Sequence, residues 1–258
     1  MRARNYSAPS LRVGAWTDAA IHLSFLYPKW VALLGVCLFF CSINHAYAAE
    51  KTLMRERVVA VLKGGEIQLE KTGKAVFQNL LVRDAARMEN WLAEHVLQKE
   101  IPFTLAAEDR YGRRQIISDL QEQMLRDGVV LVYATHGDIS ADWRRAEAQA
   151  RQEKRGIWAN ESRVITPQEA LALKDGFYLV EGVITRIYES KNATYLNFGD
   201  DWRRDLSTPR AAKQRRSMNA FLSDLKAGER IRVRVRGSII EENGPMIILN
   251  HKDNLEKL

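Results

Sequence analysis

Arginines supply the first chemical signal in this chain. Arg230, Arg232, Arg234 and Arg236 alternate with Ile231, Val233 and Val235, and a period of two places all four on one face of a strand. Guanidiniums stacked in this way repel one another unless carboxylates or phosphates answer them. Arg203, Arg204, Arg210, Lys213, Arg215 and Arg216 crowd the segment before this strand, and Trp202 beside Arg203 offers a ring that could stack on a base or sugar. Two readings stay open. In one, the region is a surface for nucleic acid or another polyanion, contacted by Trp202, Arg203, Arg232 and Arg234. In the other, it is a solvated sheet exterior neutralised by Glu181, Glu189, Glu241 and Glu242. A second cationic cluster, Asp109-Arg110-Tyr111-Gly112-Arg113, sits at a bend. An arginine there presents paired planar donors that suit phosphate oxygens. His95, His136 and His251 are scattered and have no metal-ligand spacing, so no metal site is read from the residues.

The elements that must carry these groups follow from periodicity. Val58–Leu62, Ile67–Leu69 and Ala75–Val82 read as three strands broken at Lys63-Gly64-Gly65-Glu66 and Lys71-Thr72-Gly73-Lys74. Asp84 reads as the N-cap of an amphipathic helix over 85–98, with Met88, Trp91, Leu92, His95 and Val96 on one face. Ile101–Ala106 and Arg113–Ser118 flank the basic bend. Helices follow at Leu120–Arg126, closed by Gly128, and at Ser140–Lys154, stopped by Gly156. Three strands, a helix, then two strands is the OB-fold plan. After a connector at 161–175, a second β-rich segment repeats that order over 176–258. Its pieces are a long strand from Phe177 to Tyr188, another at Ala193–Phe198, a helix around Met218 to Leu225, a long strand to Ile240 and a hairpin turn at Asn243-Gly244.

Glu108-Asp109-Arg110-Tyr111-Gly112-Arg113, followed by Ala146-Glu147-Ala148-Gln149-Ala150-Arg151 and Gly156-Ile157-Trp158, resembles the signature of the staphylococcal-nuclease-like (thermonuclease) family. The resemblance covers roughly 56–158 and implies a five-stranded OB barrel with two C-terminal helices. It also implies calcium-dependent phosphodiester hydrolysis, with Arg113 in the position that contacts the scissile phosphate. The remaining positions depart from the family pattern. Gly65 stands where one calcium aspartate is expected, Arg83 where the second is, Gln78 where a phosphate-binding arginine is, and Ala86 where the general-base glutamate is. Asp84, by a one-residue slip, or Glu89, reaching from the helix, would have to complete a catalytic site. Glu66 is expected to point away, because side chains alternate along a strand. Calcium needs several oxygen ligands, so the resemblance implies Ca2+ only if the site is active. Tyr195 to Asp205 together with Asn243-Gly244-Pro245-Met246-Ile247 resembles the tail domain attached to many bacterial proteins of this kind.

The 258 residues carry a formal net charge of +7, a mild excess that weakly favours a polyanionic partner. The N-terminus reads as an export signal over 1–48. Arg2, Arg4, Arg12 and Lys29 lead an apolar run from Trp30 to Phe40, and Ala46-Tyr47-Ala48 offers a cleavage site. The expected location is the periplasm or the exterior, with an uncleaved inner-membrane anchor as the alternative. Cys37 and Cys41, the two cysteines of the chain, both fall in this leader, so the expected mature protein has no disulfide and no thiol chemistry. The expectation is therefore an α+β, mainly β protein: a nuclease-like barrel over 54–160 and a second OB-like barrel over 176–258. Three functions stay open: a catalytically degenerate nucleic-acid binder, an active calcium-dependent phosphodiesterase, and a periplasmic protein-interaction scaffold.

Overall fold

The computed structural model describes residues 52–258 except 110, 160–163, 174–175, 202, 212–217, 227–229 and 243. The expected leader, Arg110 and Trp202 therefore lie outside the described residues. In chain order the first half runs β1 (Met54–Leu62), β2 (Glu66–Leu69), β3 (Gly73–Phe77), β4 (Leu80–Leu81), α1 (Ala85–His95), β5 (Glu100–Glu108), β6 (Arg114–Ile117), α2 (Leu120–Arg126), β7 (Leu131–Val132) and α3 (Ala141–Gln152). β1, β2, β3, β6 and β5 close a barrel in that lateral order, and β4 pairs with β7. β3 runs parallel to β6, and the other barrel pairs are antiparallel. Alternation fills the barrel: Ile67 and Leu69 of β2, Ala75 and Phe77 of β3, and Ile101 and Phe103 of β5 are buried together with Met88 and Leu92 of α1.

The predicted third strand, Ala75–Val82, is interrupted. Asn79 adopts a φ of 59°, a left-handed conformation that asparagine tolerates better than most residues. Its side-chain oxygen accepts the backbone N–H groups of Thr135 and His136 at 2.7 and 3.0 Å, and its amide donates to the His136 carbonyl at 2.7 Å. The break thus pins the chain beyond β7 to the barrel. Gly128 and Gly156 make a second close approach. The Ile157 N–H donates to the Gly128 carbonyl at 2.8 Å, and a Cβ on Gly156 would lie 2.1 Å from that same oxygen. Only glycine lets the two backbones meet, and Trp158 is thereby turned into a buried cluster with Leu131, Ala150, Phe177 and Leu179.

The second half comprises β8 (Val164–Ile165), α4 (Pro167–Ala170), β9 (Phe177–Ile184), β10 (Arg186–Glu189), β11 (Ala193–Asn197), β12 (Ser207–Ala211), α5 (Asn219–Lys226), β13 (Ile231–Ser238), β14 (Ile240–Glu241), β15 (Pro245–Met246) and β16 (Leu255–Lys257). Two sheets, β10-β11-β12-β15-β14 and β16-β13-β9-β8, build the second OB-like unit. The long strands account for this: β9 bends into β10 at Thr185 and β13 bends into β14 at Ile239, so each serves both sheets. Followed through these bends, the strand order matches that of the first barrel, including a parallel pairing of β12 with β15 and a helix after the third strand. The predicted connector also holds structure. Its β8 pairs in parallel with β9, and α4 carries a capping box between Thr166 and Glu169.

The described residues form one compact unit. Trp158 and Ala150 from the first half meet Phe177 and Leu179 from the second. The C-terminus returns to the first half: Asn254 accepts from the Ala134 N–H at 2.9 Å and donates to its carbonyl at 3.0 Å, while Asp253 accepts from the Ile139 N–H at 2.7 Å.

Candidate nucleic-acid interface

The bend between β5 and β6 is built around Asp109. One carboxylate oxygen accepts the backbone N–H groups of Tyr111 and Arg113 at 2.9 and 3.0 Å. The other accepts Arg113 Nε at 2.7 Å, with Nη2 at 2.6 Å. Arg113 Nη1 donates to Glu66 Oε1 at 2.5 Å. The hydrogen bond from Arg113, ahead of the backbone donors, holds the Asp109 carboxyl below its usual range. Asp109 and Glu66 in turn raise the pKa of Arg113. Glu66 was expected to face away from Arg113 but engages it. Gly64 and Gly65, at φ of 82° and 84°, turn the chain so that β2 begins with the Glu66 side chain toward the bend. Tyr111 is 66% exposed, and the Arg113 guanidinium lies 5.1 Å from its ring centroid, within cation–π range.

α1 closes the opposite side of the β1–β2 turn. Glu89 accepts the Gly64 N–H at 2.7 Å, and a Cβ on Gly65 would come within 2.5 Å of Met88 Cγ. Asp84 caps α1, accepting the Arg87 N–H at 3.0 Å, with the Arg87 guanidinium 3.5 Å away. Asp84 is thus engaged at a helix end and Glu89 at the β1–β2 turn. Gln78 is buried and donates to Gln115 at 3.2 Å, while Gln121 donates to the Gln78 carbonyl at 2.7 Å. A structural amide network thus occupies the position of a phosphate-binding arginine. Lys63 and Arg83, one on the turn and one beside the cap of α1, are exposed.

Calcium does not fit this set. Gly65 supplies no ligand and has no room for one, and Arg83 supplies a cation where a carboxylate is needed. Among the described residues no three His, Cys, Asp or Glu side chains group as a metal site.

The arginine strand also departs from the polyanion reading. Arg234 of β13 is 12% exposed. It donates to Glu181 at 2.9 and 2.6 Å and to Glu256 at 3.2 Å. Glu181 lies opposite Arg234 on the neighbouring β9. Arg236 is 1% exposed and grips Glu147 of α3 at 2.9 and 3.1 Å, the Val132 carbonyl at 3.0 Å and Glu256 at 3.3 Å. Burial opposes ionisation of Glu256, yet Arg236, Arg234 and Arg144 together outweigh it and leave its pKa lowered. The ion-pair partners of Arg234 and Arg236 are thus carboxylates. Arg232 stays at the surface, 66% exposed and 3.4 Å from Glu181. Arg203 is exposed, with its N–H donating to Asp201 at 3.1 Å. Glu256 carried no local signal that could have singled it out, and Glu147, although inside the Ala146–Arg151 segment, lies 89 residues from Arg236, so nothing local linked the two.

Residues 78–160 match the family described as staphylococcal nuclease homologue. Probable endonuclease LCL3 of Scheffersomyces stipitis is 30% identical over 93 residues, covering 31% of this chain and 40% of the relative. The proteins of the same name from Debaryomyces hansenii and Komagataella phaffii are each 31% identical over 93 residues, with the same coverage. The matches span about two fifths of these relatives' length. Together with the closed barrel and the Asp109–Arg113 bend, they show that the stretch over 78–160 belongs to a staphylococcal-nuclease-like domain.

Proposed function

We propose that this protein is exported and binds nucleic acid without cutting it. The observation that carries the reading is the state of Arg113: its guanidinium is already held by Asp109 and Glu66. A scissile phosphate would have to displace Glu66 to reach it, and Gly65, Arg83 and Ala86 bring neither a calcium ligand nor a base to the positions where the resemblance expects them. Lys63 and Arg83 supply fixed positive charge where the family resemblance calls for a turn and a carboxylate that together hold a cation. Fixed cations attract a phosphate backbone but generate no nucleophile. The exposed Tyr111 ring beside Arg113 gives a base a face to stack on.

The test incubates the full chain with single- and double-stranded DNA and RNA, with calcium or with chelator. Salt-sensitive complexes and intact strands under both conditions are expected. Calcium-dependent cleavage abolished by Arg113→Ala would overturn the proposal. Export is checked by fractionating expressing cells and reading the N-terminus of the product: a start near Ala49 outside the cytoplasm is expected, and an intact cytoplasmic chain contradicts it.

A further inference from the structure

The second half carries a cleft of about 750 Å³ on the outer face of β10, β11 and β12, a size typical of small-ligand and base-sized sites. Two cross-strand rows form its floor. In one, Tyr188 pairs with Tyr195, which pairs with Pro209; in the next, Arg186 pairs with Asn197, which pairs with Ser207. Residues of one parity share a sheet face, so an apolar row lies directly beside a polar one. Tyr188 is 60% exposed, and its ring centroid lies 6.0 Å from that of Tyr195 at an interplanar angle of 40°. The two rings form a broad platform that no other described aromatic ring covers.

The polar row points to what belongs on that platform. Asn197 is 4% exposed, and its Oδ1 is buried without a hydrogen-bond partner among the described atoms. A buried acceptor left in that state is costly, and a ligand that brings an N–H into the cleft relieves it. Arg186 at the rim is only loosely engaged, with Asp200 3.4 to 3.5 Å away and 91% exposed, so it can turn to an incoming phosphate. Ser190, in the turn between β10 and β11, and Glu242, after β14, border the cleft. In the OB plan these are the two loops flanking the face of the second and third strands, where such folds take oligomeric ligands. Stacking surface, a buried acceptor and a rim cation together match an unstacked base on a sugar–phosphate strand.

We propose that this cleft is a second nucleic-acid site, in which Tyr188 and Tyr195 stack bases of a single strand, Asn197 accepts from a base N–H and Arg186 meets the backbone. The inference rests on the nucleic-acid-binding reading above but places base contact in the other half of the molecule.

The test measures fluorescence anisotropy of the full chain with a labelled deoxycytidine oligonucleotide and with an abasic strand of the same length. Tyr188→Ala and Tyr195→Ala are each expected to weaken binding of the base-bearing strand about tenfold and to leave the abasic strand unchanged. Circular dichroism confirms that each variant is folded, and Tyr188, being exposed, can be removed without opening the core. Photo-crosslinking with an iodouracil-substituted strand should label the peptide spanning 186–197. Equal affinity of the wild-type chain for both strands, unchanged binding by Tyr188→Ala, or crosslinks confined to Tyr111 would each overturn the site. A combined Lys63→Ala, Arg83→Ala variant separates the two proposals. If it abolishes binding while the tyrosine variants bind normally, the first half alone is the binder and this inference falls. If no strand binds the wild-type chain, both fall.

Discussion

Glu66 decides how much of its charge Arg113 can offer. With Asp109 on one side and Glu66 on the other, the guanidinium is neutralised before any strand arrives. Glu66→Gln should keep a hydrogen bond but release that charge. Strand affinity is expected to rise several-fold and the salt dependence to steepen by about one ion, read from anisotropy across a salt series. A second residue-scale expectation concerns Arg236 and Glu147, at 1% and 2% exposure. Removing one partner leaves a buried charge unanswered, so Arg236→Met or Glu147→Gln should each cost about 3–5 kcal/mol in urea unfolding, whereas replacing both with apolar residues should cost much less. At this scale the sequence was partly legible. Asp84 could be read as a cap because a cap is a local event, and it accepts the backbone N–H of Arg87. The fate of Arg234 and Arg236 could not be read, because period two reveals a shared face but not which distant carboxylates cover it.

At the scale of elements, α1 and the β1–β2 turn fit each other too closely for a metal ligand to be restored by one change. Gly65→Asp would place a Cβ 2.5 Å from Met88 Cγ at a φ of 84°. We expect a loss of about 2 kcal/mol in thermal unfolding and no shift of the melting temperature on adding calcium. The barrel strands and helices were legible because their apolar residues keep strict periods, as in Ile67 and Leu69 or Met88, Trp91 and Leu92. The interruption at Asn79 was not, since the residues on either side still read as β and only the contacts to Thr135 and His136 require the left-handed turn. β12 was obscure for a similar reason. Ser207, Thr208, Pro209 and Arg210 form a polar run whose burial comes from β11 and β15 rather than from its own hydrophobicity.

For the whole molecule, carboxylates set the acid limit. Glu256 is held below its ordinary value because its three arginine neighbours outweigh burial, and Glu56 because hydrogen bonds from Thr72 and Lys71 do the same. A carboxyl whose pKa is depressed by folding contributes stability above its unfolded value and loses it as pH falls through the folded one. The melting temperature should therefore drop as pH falls below about 4.5, and Glu256→Gln should shrink that drop while lowering stability at neutral pH. The overall plan of two five-strand units was legible from the repeated order of elements. Their union was not, because it rests on Trp158, Arg236 and the returning C-terminal segment.

That union makes the molecule a ruler. Because Glu147, Arg236 and Asn254 tie the halves together, the contacts between them oppose any change in the distance between the Arg113 bend and the Tyr188–Tyr195 platform. A strand too short to reach both gains nothing from the second contact, and one that just spans them gains the full effective concentration of an intramolecular event. Affinity plotted against oligonucleotide length should therefore rise in a step rather than a slope, and Tyr188→Ala should erase the step.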